Sequence, residues 1–186
     1  MWFLNWAKPS LSGNVLSERD FQVLLNKELI RLERRPHVLN VACLELLGLD
    51  ELEPPLASSV VSHVTQLVGG ELRKRDVLAH TTFQRLALFL PDSSPDEAHY
   101  LLTQMQLEVQ GSMQLYHLDV SINAGMYSFD QYSSLGEVAR KVDALLKEAS
   151  DLGFNIMLQE VAVKPKTFNA PFTVQPSQFD VGLGQR

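Results

Sequence analysis

Arg73-Lys74-Arg75-Asp76-Val77-Leu78-Ala79-His80-Thr81-Thr82-Phe83-Gln84-Arg85-Leu86-Ala87-Leu88-Phe89-Leu90-Pro91 is the stretch whose reading decides the fold. It holds two short apolar runs, 76–79 and 86–90. The residues between them leave room for a hairpin turn, so the pair reads as antiparallel. Pro91-Asp92-Ser93 ends the second run. Upstream, Val38-Leu39-Asn40-Val41-Ala42-Cys43-Leu44-Glu45-Leu46 is almost continuously apolar, as a strand buried on both faces should be. Downstream, 118–126 and 156–163 supply two further strands.

Four helices fill the gaps. Ser17-Glu18-Arg19-Asp20 resembles a capping box, followed by Phe21, Leu24, Leu25, Leu29 and Leu32 at helical spacing. Pro36 stops that helix. Pro54-Pro55 opens a second, with Leu56, Val60, Val64 and Leu67 on one stripe before Gly69-Gly70. Ser94-Pro95-Asp96-Glu97 starts a third over 95–109, and Ser134-Leu135-Gly136-Glu137 a fourth that Gly153 ends. The order is helix, strand, helix, two strands, helix, strand, helix, strand. It predicts an α/β fold: a single mixed β-sheet flanked by helices, not an all-parallel dinucleotide fold.

The chain has 186 residues, enough for one core, and a net charge of −6. An acidic balance disfavours nucleic acid as a partner, since phosphate contacts need a basic face. The single cysteine, Cys43, excludes an intramolecular disulfide and a cysteine-rich zinc site, and implies a reducing, cytoplasmic setting. No transmembrane segment is expected, because no apolar run approaches ~20 residues. Met1-Trp2-Phe3-Leu4-Asn5-Trp6 is too short and too poor in basic residues for a secretion signal. It reads as an aromatic segment docking on the domain, on a partner or at a lipid interface, docking on the domain being the plainer reading. From Lys164 onward, Pro165, Pro171 and Pro176 with isolated Phe168, Phe172 and Phe179 read as an extended tail.

Most catalytic templates are missing: no phosphate loop, no dinucleotide fingerprint, no nucleophile elbow, no paired zinc histidines. The five histidines are scattered, and Cys43 reads as a buried, inert thiol. Arg73-Lys74-Arg75-Asp76 stands out. Its plainer reading is a solvated helix end, where cations are favoured. An arginine fork beside a carboxylate can also hold a guanine edge or a phosphate.

At this point the segments resemble GGDEF domains, the diguanylate cyclase fold, over residues 17–163. Arg73-Lys74-Arg75-Asp76 resembles that family's RxxD inhibitory site for cyclic di-GMP. Five residues after Asp76 the family carries Gly-Gly-Asp/Glu-Glu-Phe; here stand Thr82, Phe83, Gln84, Arg85 and Leu86. Val120–Met126 is similar to the strand reading "vTvSiGv". Asp143, Leu146, Ala149, Gly153 and Asn155 match the "ADxALYxAKxxGRN" pattern. Glu45 sits where a metal-binding aspartate ends the first strand.

The departures from the family concern activity. Thr82 and Phe83 fill the space that glycines leave for GTP phosphates. Gln84 replaces a metal-binding carboxylate and Arg85 reverses the next charge, leaving Glu45 as a vestige. Leu49-Asp50 stands where Phe-Lys is usual, and the guanine-reading Asn and Asp are not recognisable between Glu53 and Val68. The resemblance therefore implies a degenerate, non-catalytic domain with no catalytic residues, no metal and no cofactor. It also implies a regulatory protein that binds cyclic di-GMP through Arg73 and Asp76 and signals to a protein partner. Arg31, within the chain or across a homodimer, and Arg75 are the cations left to assist. The helix over 95–109 offers His99, Tyr100 and Gln104 where the family often has arginine. The expected organisation is an N-terminal aromatic segment (1–16), the degenerate domain (17–163) and the tail (164–186), with recruitment to a membrane complex left to a partner. Two alternatives stand beside this reading: a ligand-independent interaction scaffold that has lost both sites, and an enzyme with unusual GTP binding or another substrate.

Overall fold

A computed structural model of the chain describes residues 15–163. The expectations for the N-terminal aromatics and for the tail lie outside them. The central strand is β2 (Leu39–Leu47), hydrogen-bonded on both sides. On one side lies β4 (Arg85–Leu90), antiparallel, and beyond it β3 (Val77–His80). On the other side β5 (Ser121–Phe129) runs antiparallel to β2 and β6 (Met157–Ala162) runs parallel to β5. A two-residue strand, β1 (Leu16–Ser17), pairs in parallel with β3, giving the order β1-β3-β4-β2-β5-β6. The mixed sheet expected from the sequence is present.

The alternation of β2 explains why both faces are covered. Ala42, Leu44 and Leu46 point to one side, where α2 (Pro54–Glu71) and α3 (Pro95–Leu115) pack through Val60, Val64, Leu102 and Met105. Leu39, Val41 and Cys43 point to the other, under α1 (Glu18–Arg34) and α4 (Leu135–Leu152). Gly125 on β5 has a specific role. A Cβ there would lie 2.7 Å from the Leu146 backbone nitrogen and 2.8 Å from the Val142 carbonyl oxygen, so only glycine lets α4 approach the sheet this closely.

Some boundaries moved. β5 begins three residues later than its apolar run, because Leu118 instead closes the end of α3: its N–H donates to the Met113 carbonyl at 3.0 Å, just after His117 takes φ 55°. α3 continues through Gly111 to Leu115 and α2 through Gly69-Gly70 to Glu71. Ser94 and Glu97 complete a reciprocal capping box on α3. Ser17 and Ser134 each accept from the backbone N–H three residues on.

Candidate functional site

Antiparallel register sets Glu45 on β2 directly opposite Arg85 on β4. The guanidinium Nε donates to Glu45 Oε1 at 2.8 Å, and a second arginine nitrogen lies 3.6 Å from Asp143 on α4. Ser150, in the last turn of α4, places its hydroxyl 3.1 Å from the Leu146 carbonyl oxygen and 3.3 Å from the other carboxylate oxygen of Glu45. Burial works against charge on Arg85. The hydrogen bond and charge of Glu45, helped by Asp143, outweigh it and raise the arginine's pKa above its ordinary value. One half-buried cation thus ties β2, β4 and α4 together. The same end of the sheet holds Cys43, whose thiol burial pushes up to about 12, so it stays protonated and inert at neutral pH.

Between β3 and β4 the turn comprises Thr81, Thr82, Phe83 and Gln84. His80 and Arg85, expected in the turn, belong to the strands. The Gln84 carbonyl accepts from the Leu46 N–H at 2.9 Å and the Thr82 carbonyl from the Arg85 N–H at 3.4 Å. Phe83, in this turn, is 53% exposed. Leu86 points into the core beside Leu44 and Leu88.

At the opposite end of β3 lies the Arg73–Asp76 turn. Asp76 Oδ2 accepts from the Arg73 backbone N–H at 2.8 Å, and the Asp76 N–H donates back to the Arg73 carbonyl at 3.0 Å. The carboxylate is therefore held by its own turn. Its pKa is raised: burial pushes it up, while the backbone hydrogen bond and charge of Arg73 pull it partly back. The Arg73 side chain is exposed and forms no salt bridge among the described residues. Its charge reaches the first turn of α3, where Glu97 is held below the usual carboxylate range chiefly by the Ser94 N–H and hydroxyl.

The helper cations separate. Arg75 turns away to Asp92, with nitrogen–oxygen distances of 2.7 and 2.9 Å. Arg31 pairs with Glu28 on its own helix. On α3, His99 and Tyr100 are exposed and Gln104 is half-buried. The Glu45–Arg85–Ser150 network and the Arg75–Asp92 pair were not foreseen. The first needed the β2–β4 register, and no turn length supplies it, because α2 and β3 lie between those strands in the sequence.

No family model matches the sequence, and no curated protein does. Solved structures do match in shape. The GGDEF domain of DgcB from Caulobacter crescentus, in complex with c-di-GMP, superposes with a TM-score of 0.72 at 16% identity, over 81% of this chain and 93% of that one. The active GGEEF domain of a diguanylate cyclase from Vibrio cholerae gives 0.69 at 14%, over 78% and 97%. The diguanylate cyclase SiaD from Pseudomonas aeruginosa, in complex with its activator SiaC, gives 0.70 at 16%, over 78% and 59%. The mixed sheet, its strand order and its two pairs of helices are the fold of GGDEF domains.

Proposed function

We propose that this chain is a non-catalytic regulatory domain that binds cyclic di-GMP through Arg73 and Asp76 and passes its occupancy to a protein partner. The observation that carries the non-catalytic half is the Glu45–Arg85 pair. A GTP-cyclising site of this fold would hold divalent cations on carboxylates at the end of β2 and in the turn before β4. Here Arg85 holds one Glu45 oxygen at 2.8 Å, the Ser150 hydroxyl stands 3.3 Å from the other, Gln84 is neutral, and a guanidinium already neutralises the lone carboxylate. This donor set does not fit magnesium, which needs several hard oxygens in octahedral array. Among the described residues no group of three or more His, Cys, Asp or Glu side chains is placed to hold a metal ion.

The receptor half is supported by the geometry of the Arg73–Asp76 turn. A preformed turn presents an exposed guanidinium beside a half-buried carboxylate, the donor and acceptor pair a guanine edge requires. The cyclic di-GMP complex of the similarly folded DgcB domain makes this ligand the first to try. A ligand selective for the folded state raises the melting temperature. Cyclic di-GMP should therefore raise that of the full chain and leave that of R73A unmoved, and GTP with magnesium should yield no cyclic product on chromatography. No shift in wild type, or turnover of GTP, overturns the reading.

One pair of observations favours a second reading, a ligand-independent interaction scaffold. Arg75 is drawn off to Asp92, and α3 carries no arginine to complete the cradle. A scaffold would capture its partner equally with and without nucleotide.

A further inference from the structure

The β3–β4 hairpin brings the chain before β3 and the chain after β4 side by side, since Val77 lies opposite Phe89. Arg75 precedes that pairing by two residues and Asp92 follows it by three. There they meet, with a guanidinium nitrogen of Arg75 2.7 Å from one carboxylate oxygen of Asp92 and 2.9 Å from the other. The two side chains are 68% and 46% exposed. An ion pair so open to water is weak and exchanges easily.

Its members differ in freedom. Asp92 lies between Leu90 and Ser93, and the carbonyl oxygens of both accept from the Asn40 side-chain amide, at 3.1 and 2.7 Å. Asn40 is wholly buried on β2, so the backbone on either side of Asp92 is anchored to the centre of the sheet. Ser94, two residues on, is fixed as the cap of α3 through Glu97. Arg75 carries its charge on a long, mostly solvated stem that can swing. The anion is therefore the fixed member and the cation the movable one.

The pair also borders the Arg73–Asp76 turn. Arg75 is next to Asp76 in the chain. Burial does most to raise the Asp76 pKa, and the charge of Asp92 adds to the rise against the hydrogen bond and charge of Arg73. The field of Asp92 thus reaches the turn. Cyclic di-GMP carries two phosphodiester anions, for which a second arginine beside Arg73 is the natural counter-charge. We infer that Asp92 is a brake on the Arg73–Asp76 site: it holds Arg75 away from the ligand, and a bound phosphodiester takes Arg75 from it. This rests on the receptor reading above and adds a control on its affinity. The exchange costs little, because Asp92 returns to water when Arg75 leaves.

Titration of the full chain with cyclic di-GMP tests the brake. Asp92→Asn should tighten binding about fivefold over wild type, with a gain that shrinks as salt rises. Adding Arg75→Ala to Asp92→Asn should remove most of that gain. Asp92→Glu, which keeps the charge, should stay near wild type. Melting temperatures without ligand should agree within about 2 °C across the set, which separates a change in binding from a loss of fold. Binding in wild type that Asp92→Asn leaves unchanged or weakens overturns the brake and leaves the receptor reading standing. A gain that survives Arg75→Ala overturns the brake as well, since Arg75 would not be what Asp92 withholds. Binding confined to Asp92→Asn supports the brake and overturns the receptor reading for the wild-type chain. No binding in wild type or any variant overturns both.

Discussion

The two ends of the β3–β4 hairpin each have an arginine beside a carboxylate, and they use it differently. At the turn end, Arg85 is half-buried and joined to Glu45, with Asp143 and Ser150 nearby. At the other end, Arg73 stays in solvent while its own backbone, not its guanidinium, holds Asp76. A half-buried cation with a partner on a neighbouring strand is part of the fold. An exposed cation whose carboxylate neighbour is anchored separately is available to a ligand. The same residue pair thus closes one end of the hairpin and leaves the other open.

The largest effect should come from breaking the closed end. Arg85→Ala leaves the Glu45 side chain, 15% exposed, without its cation and should cost about 2 kcal/mol in chemical denaturation. Changing Glu45 and Arg85 together to leucine should recover most of that loss, since no buried charge remains unpaired. Equal loss in the single and double variants would mean that the pair is not what holds β2 to β4.

Arg73→Ala makes the same chemical change at the open end and should alter stability by less than about 0.5 kcal/mol, as for other exposed side chains. A loss matching that of Arg85→Ala would erase the contrast.

The smallest effect concerns pH. The folded pKa of Asp76 is raised, first by burial, so folding favours its protonated form. Its contribution is complete below the unfolded value of 3.8 and is lost as pH rises through the folded value. Wild type should therefore gain slightly on Asp76→Asn in denaturant melts taken near pH 3 compared with pH 7. The opposite trend would show that the Arg73 N–H and charge outweigh burial.

Much of this was legible in the residues. The unbroken apolar run of 38–46 and the paired runs flanking 80–85 located the sheet centre, because side-chain period and strand burial are coupled. β1 was not legible, since two residues carry no period. Leu118 and Val120 misled because both pack against the core from outside the strand, Leu118 with its N–H closing the end of α3. Arg85 could be read as a charge reversal but not as half of a half-buried ion pair. Its partner is 40 positions away, and only strand register brings them together. The direction of Phe83 was not legible either, since a side chain in a turn has no periodicity to fix it.

Titration calorimetry with cyclic di-GMP on wild type, R73A and R85A tests the difference between the two ends most directly. The account predicts saturable heat in wild type, its loss in R73A and its retention in folded R85A. No heat in wild type, or heat that survives R73A and vanishes in R85A, would contradict it.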